Sequence, residues 1–246
     1  MTAADQPSAP GVVPPRWGLG DAAGGWLIAY SAASLWGVAI FSALGYTSEQ
    51  IAANDFPLTM VALNYPPLWL GFAGVPVWAA RVKGNGWVTD FRARWKWSGL
   101  ALASLAGLVT QLVVVPLVSA PMVWLTGADT EELGRPAREL ADKATSPGGV
   151  ALFILVVVIG APIAEELFFR GLLLRAFEKR FGLRWAVAAS SVVFGATHFQ
   201  FLQFPALTVA GLVFALLVVR YDNLWAGVVG HMAFNLVTVV TLIWLT

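Results

Sequence analysis

Cysteine is absent from this 246-residue chain, which excludes disulfides and thiolate chemistry and leaves the redox compartment unmarked. Charge is scarce as well. Asp, Glu, Lys and Arg make up 12% of the residues, against about 25% in an ordinary soluble domain. The formal net charge of +1 provides no basic footprint for nucleic acid. No charged segment followed by a short apolar core and a cleavage site opens the chain, so a cleaved signal peptide is not expected and the first apolar run reads as an uncleaved anchor. No internal repeat or low-complexity tract is visible. Histidine occurs only twice.

What is abundant is apolar sequence, 58% of the chain, gathered in runs near the 20 or so residues that cross a bilayer. The expected fold is all-α: a polytopic transmembrane helical bundle of about seven spans (six to eight), near 25–45, 58–80, 98–126, 149–174, 185–204, 206–219 and 224–245. Residues 1–24, with Pro7, Pro10, Pro14 and Pro15, read as a disordered tail. Residues 25–148 hold three spans and an outside loop, and 149–246 the remaining core, in one membrane domain. Asn64-Tyr65-Pro66-Pro67 and Pro76 predict a kinked or locally unwound second span, because proline removes a backbone donor and clashes with the preceding turn. Pro116 and Pro121 predict a bent third span, and the following loop a short surface helix from about Pro136 with solvated charges.

Basic residues are divided unevenly among the loops. Arg16, Arg81, Lys83, Arg92, Arg94, Lys96, Arg175, Lys179, Arg180, Arg184 and Arg220 fall on one face, and Arg135, Arg138 and Lys143 on the other, among five acids. Eleven against three predicts a multi-pass protein of the cell membrane with a cytoplasmic N-terminus and an outside C-terminus. Trp78, Trp87, Trp95, Trp97, Trp185 and Trp225 lie beside the basic loops, as an interfacial belt would.

Against this background Ala161-Pro-Ile-Ala-Glu-Glu-Leu-Phe-Phe-Arg170 stands out. Each charge at the bilayer centre costs about 2.5 to 3.5 kcal/mol, so an intramembrane ionisable group reads as functional by default. Glu166 and Arg170 are four apart with the acid first, the better order for an intrahelical pair. Glu165 points about 100° away and stays free of it. Both histidines, in Phe194-Gly-Ala-Thr-His198 and His231-Met-Ala-Phe-Asn235, fall inside apolar runs. Counting about 1.5 Å per residue from the basic loops, Glu165 lies roughly 15 Å deep, His198 roughly 20 Å, His231 roughly 10 Å and Asn235 roughly 16 Å. The alternating helices thus bring Glu, His, His and Asn to similar levels, and the half-depth nearer the basic loops predicts access from the cytoplasmic side. A carboxylate in a low-dielectric site beside a like charge suits a general base. With His198 it could deprotonate water, while His231 and Asn235 donate to an oxyanion. Ser190 and Ser191 have no acid partner for a serine triad. Hydrolysis of an acyl bond, most plausibly a peptide, is the implied reaction.

Glu165-Glu166-x-x-x-Arg170, Phe194-x-x-x-His198 and His231-x-x-x-Asn235, in that order on successive spans, resemble the type II CAAX prenyl protease and bacteriocin-processing (Abi) family of intramembrane proteases, the CPBP family. The resemblance runs from about Gly149 to the C-terminus; the first three spans add only hydropathy. It implies a helical-bundle endopeptidase with Glu165 and His198 activating water, His231 and Asn235 forming the oxyanion hole, Glu166 completing the catalytic set, and Arg170 and Phe194 supporting it. The family is described both as metal-dependent and as a metal-free glutamate protease. No cofactor is expected, because the spacing is not His-Glu-x-x-His; if zinc is used, its ligands are Glu165, His198 and His231. The implied partners are the lipid bilayer and a peptide or protein substrate, membrane-anchored or prenylated or neither, with no nucleic acid. Two further readings stay open: a non-proteolytic scaffold or immunity protein of the same family, and an ion-coupled transporter. Membrane carboxylates and histidines also form proton relays, although the inverted repeats of many transporters are missing.

Overall fold

A computed structural model describes residues 13–245, so residues 1–12 of the expected tail lie outside the described part. In chain order the helices are α1 (Leu19–Ala43), α2 (Ser48–Ala52), α3 (Leu58–Lys83), α4 (Trp87–Asp90), α5 (Leu100–Thr126), α6 (Thr130–Ala141), α7 (Pro147–Phe181), α8 (Leu183–Ala196), α9 (Phe204–Tyr221) and α10 (Leu224–Leu245). Among the described residues there is no strand, and the fold is a polytopic helical bundle. Helices α1, α5, α7, α9 and α10 are long and apolar enough to cross a membrane. The 26-residue α3 is also long, but Asn64, Tyr65, three prolines and its basic end make it less apolar.

Helix α1 begins six residues before its apolar run because Asp21 organises its start. The Asp21 carboxylate accepts from the Gly18 amide at 3.0 Å and from Lys83 Nζ at 2.5 Å. Trp17 is buried, and its carbonyl accepts from Lys179. Small residues then bring α1 against α3 and α7. A Cβ on Gly71 would stand 2.4 Å from the Ala29 Cβ, and one on Gly25 would stand 2.7 Å from a Val75 methyl. Such close approaches favour association where lipid removes the hydrophobic drive between helices. Helix α3 stays helical through Pro66, Pro67 and Pro76, so the expected unwinding does not occur.

Three long helices carry wide π-turns, and those of α5 and α7 lie near prolines or glycines. In α5 the turn spans Thr110–Val114, just before Pro116, whose missing N–H leaves the Leu112 carbonyl without its helical donor. Helix α5 also packs tightly on α10: a Cβ on Gly107 would stand 2.0 Å from the Gly230 carbonyl oxygen. We expect Gly107→Ala to destabilise the protein by about 1–3 kcal/mol through overpacking. Gly134→Ala, where nothing stands within 4 Å, should be neutral or slightly stabilising. The midpoints of thermal unfolding in detergent would compare the two.

The expected fifth span, 185–204, is replaced by a shorter element. Helix α8 has 14 residues, about 21 Å of helix, so on its own it falls short of a core of about 30 Å, and the turn that follows it carries the chain on to the start of α9. The reason is local. Thr197 Oγ1 and His198 Nδ1 both lie on the Phe194 carbonyl, at 2.9 and 2.7 Å, taking the acceptor that a further turn would need. Phe199 then adopts φ 55°, in the left-handed region that ends helices. His198 therefore sits in a turn at the end of α8 and not inside a span. The turn is tight, since a Cβ on Gly195 would stand 2.4 Å from Thr208 Oγ1 of α9.

The two ends of the bundle differ. At the basic end Asp222 pairs with Arg92 and Lys96, and Trp225 Nε1 donates to the Ala93 carbonyl at 2.8 Å. Trp78, Trp95, Trp97 and Trp185 are exposed there, as an interfacial belt would be, while Trp87 and Trp225 are partly covered. At the opposite end α6 starts at Thr130, not near Pro136. Asp129 caps it by accepting from the Glu132 amide at 2.7 Å, and Glu131 and Glu132 suit its N-terminal dipole. Its charges lie largely outward, but Leu133, Ala137 and Leu140 face into the bundle. Gln203 donates to the Leu133 carbonyl, and Lys143 donates to the carbonyls of Asn54 and Phe56 at 2.6 Å.

Candidate active site

Between two π-turns of α7, Leu155–Gly160 and Leu167–Leu173, the segment Ala161–Glu166 is regular α-helix. Interruptions of this kind concentrate at functional sites. Here they hold two adjacent carboxylates in opposite environments. Glu166 points into protein and has no exposed surface. Its Oε1 is ion-paired with Arg170 Nη1 at 3.0 Å and accepts from His231 Nδ1 at 3.1 Å. Arg170 Nη2 donates to the Gly211 carbonyl at 2.8 Å, and its guanidinium lies 4.4 Å from the Phe194 ring centroid and 5.6 Å from that of Phe214. Glycine gives this cluster its room: a Cβ on Gly227 would stand 2.8 Å from Glu166 Oε2. The intrahelical pair expected from the sequence is thus present, extended to His231.

His198 has a defined tautomer. A carbonyl oxygen can only accept, so the nitrogen 2.7 Å from the Phe194 carbonyl carries the hydrogen, and Nε2 keeps its lone pair. The turn itself is held from α1, where the Tyr30 hydroxyl donates to the Thr197 carbonyl at 2.6 Å. Phe194 meets both imidazoles edge-on, with centroids 4.9 Å from His198 and 5.7 Å from His231. His231 stacks on Phe214 at 4.5 Å and 18°. With its Nδ1–H on Glu166, a neutral His231 is an acceptor at Nε2, and only the imidazolium donates there. Asn235 Nδ2 donates to the Val157 carbonyl at 2.8 Å, leaving a second N–H. Ser190 and Ser191 are buried and both donate to the Val187 carbonyl, so neither has a base.

Glu165, His198, His231 and Asn235 line one cavity of about 780 Å³ with Tyr65 and Gln111. Glu165 Oε2 has no hydrogen-bond partner. His231, Glu166 and Arg170 act on it electrostatically, and it acts in turn on Tyr30 and Tyr65. Among the described residues no three His, Cys, Asp or Glu side chains converge in a way that would hold a metal ion.

Access differs from the sequence expectation. The cavity wall reaches Trp124 in the second half of α5, Leu133 and Leu140 of α6, and Gln200 and Gln203 of the turn after α8. All belong to the end opposite the basic loops. Towards the basic end Phe168, Phe169, Phe194 and Phe214 are buried. Depth along a helix does not reveal which end is plugged, and Phe169, close to the carboxylates in sequence, is itself one of these buried rings.

Sequence reading missed Tyr30 and Gln111 and took Tyr65 only as part of a helix break. Tyr30 and Gln111 are single polar groups in apolar spans, a weak signal beside two acids and two histidines. We expect Tyr30→Phe to lower stability by about 1 kcal/mol, the usual worth of such a hydrogen bond, and to lower activity more than stability, because the turn carrying His198 loosens. Thermal unfolding and rate measurements on one preparation would check both.

Residues 147–237 match the family described as "Type II CAAX prenyl endopeptidase Rce1-like". Over 91 residues the chain is 32% identical to "Putative membrane peptidase YdiL" of Bacillus subtilis (strain 168). That alignment covers 37% of this chain and 37% of the relative, so it spans little more than a third of the relative's length. The family match falls on the part of the chain carrying Glu165, His198, His231 and Asn235. No solved structure matches.

Proposed function

We infer that this chain, whose segment 147–237 belongs to the Rce1-like family of type II CAAX prenyl endopeptidases, is a multi-pass membrane peptidase that hydrolyses peptide bonds within its helical bundle. The observation that carries the reading is the division of labour between the adjacent acids. Glu166 is held by Arg170 and His231 with no exposed surface, whereas Glu165 lines a cavity shared with His198, His231 and Asn235 and has an oxygen without a hydrogen-bond partner there.

In the proposed reaction, water donates one hydrogen to the Glu165 carboxylate and the other to His198 Nε2, which directs an oxygen lone pair at the substrate carbonyl. As the proton passes to Glu165, the water oxygen bonds to the carbonyl carbon and the C=O π pair moves onto oxygen. The second Asn235 N–H donates to that oxyanion, and His231, held at Nδ1 by Glu166, donates from Nε2 when it is protonated. Collapse re-forms the C=O and breaks the C–N bond. The proton on Glu165 goes to the leaving nitrogen, giving a carboxylic acid and an amine, and the acid's remaining proton then passes to the amine, leaving a carboxylate and an ammonium group. Glu166 and Arg170 act through His231 and are positioning residues. The distribution of basic loops supports a cytoplasmic N-terminus and an outside C-terminus.

The purified protein, incubated in detergent with a pool of synthetic peptides in ¹⁸O-water, tests this. We expect cleavage with one ¹⁸O in each new carboxyl group, and none with Glu165→Gln. A folded wild type that cleaves nothing, or a Glu165→Gln variant that cleaves equally, contradicts the assignment.

A further inference from the structure

We propose that the cavity takes its substrate from the end opposite the basic loops, as an extended and mainly apolar peptide segment whose main chain is held by Gln111. This deepens the peptidase reading and rests on it for the word substrate; the direction of access and the role of Gln111 come from separate observations.

Direction follows from exposure along the wall. Trp124, on the second half of α5, is 82% exposed and lines the cavity, so the cavity meets the surface there. Ala120 and Pro116, one and two turns earlier on the same helix, also line it and are exposed. Opposite them stand α6 and the turn after α8. At the other end the ring-and-guanidinium plug of Phe168, Phe169, Phe194, Phe214 and Arg170 is buried throughout. A chain arriving from the basic loops would have to displace it and break the Glu166–Arg170 pair.

Shape and chemistry identify what fits. The wall is mostly Val, Leu, Ala, Pro and Phe, which suits apolar side chains. A main-chain amide in that setting needs a partner, because an unsatisfied one costs several kcal/mol in an apolar medium. Gln111 supplies it. Its Oε1 is buried without a hydrogen-bond partner although it lines the cavity, and it lies on the π-turn of α5. An orphaned acceptor there is a ready site for a peptide N–H.

Thiol accessibility tests the direction without requiring activity, since the natural chain has no cysteine. Ser119 lines the cavity and is 8% exposed. In oriented vesicles, Ser119→Cys is treated with a charged, membrane-impermeant methanethiosulfonate from one face or the other. Arg94→Cys marks the basic face and Glu131→Cys the opposite one. Modification at least tenfold faster from the Glu131 face is expected. Equal rates, faster reaction from the Arg94 face, or no reaction from either face in a protein that reacts once unfolded would each overturn the proposal. For Gln111 the probe is a peptide cleaved by the wild type. Gln111→Leu should raise KM at least tenfold and leave kcat within about twofold; an unchanged KM removes Gln111 from the account. If the wild type cleaves nothing, the peptidase reading falls and with it the role of Gln111, while the labelling still decides the direction of access.

Discussion

Glu165→Gln is expected to lower peptide cleavage by about 10²- to 10⁴-fold, the range associated with losing a general base, and at the same time to leave the protein as stable or more stable. The two effects have one cause. Glu165 Oε2 lies in the cavity wall with no hydrogen-bond partner, so its charge is held at a cost that folding does not recover. The amide keeps the shape, removes the charge and cannot accept the proton of water. Strain of this kind is tolerated at functional sites because the surroundings enforce it. Rates with a cleaved peptide, and unfolding midpoints in the same detergent, measure both halves. A Glu165→Gln protein that was both inactive and strongly destabilised would make Glu165 a structural residue.

The second large effect is expected at Arg170, and it is the converse. Arg170→Met leaves Glu166 buried with only His231 as a donor, and breaking a buried pair from one side costs about 3–5 kcal/mol. The lost contacts with the Phe194 ring and the Gly211 carbonyl act in the same direction. Activity should fall too, because His231 is oriented by the same carboxylate oxygen. Removing both charges is milder than removing one, so Arg170→Met with Glu166→Gln should recover part of the stability and little of the activity. Thermal unfolding of the two single variants and the double variant gives the coupling directly. If the single variants' losses merely added, the pair would not be the unit described here.

Much of the site was legible because charged residues and histidines are expensive in an apolar run. Glu165, Glu166, Arg170, His198, His231 and Asn235 announced themselves, and the four-residue spacings predicted the Glu166–Arg170 pair and the shared face of His231 and Asn235. Hydropathy located most ends of the long helices to within three residues, but α1 begins six residues earlier and α7 ends seven residues later than the apolar runs. It failed at α8, because Phe199, Phe201 and Phe204 continue the apolar run after Thr197 and His198 have closed the helix on the Phe194 carbonyl. It failed at α6, where Pro136 resembled a first-turn proline while Asp129 held the actual cap. Tyr30, Tyr65 and Gln111 were not legible as site residues. Each comes from the first three long helices and matters only through α7 or the turn after α8, a relation that no local pattern encodes. The plugged end was illegible for the same reason, since no local pattern shows that Phe168 and Phe169 are both buried.

The central claim is that Glu165 serves proteolysis. The most direct measurement compares protein termini in cells expressing the wild type or Glu165→Gln at matched levels, both shown to be folded. The account predicts new termini with the wild type alone, clustered in a small set of membrane-associated proteins. Identical terminal profiles from the two strains would contradict it and leave the fold without the peptidase activity argued here.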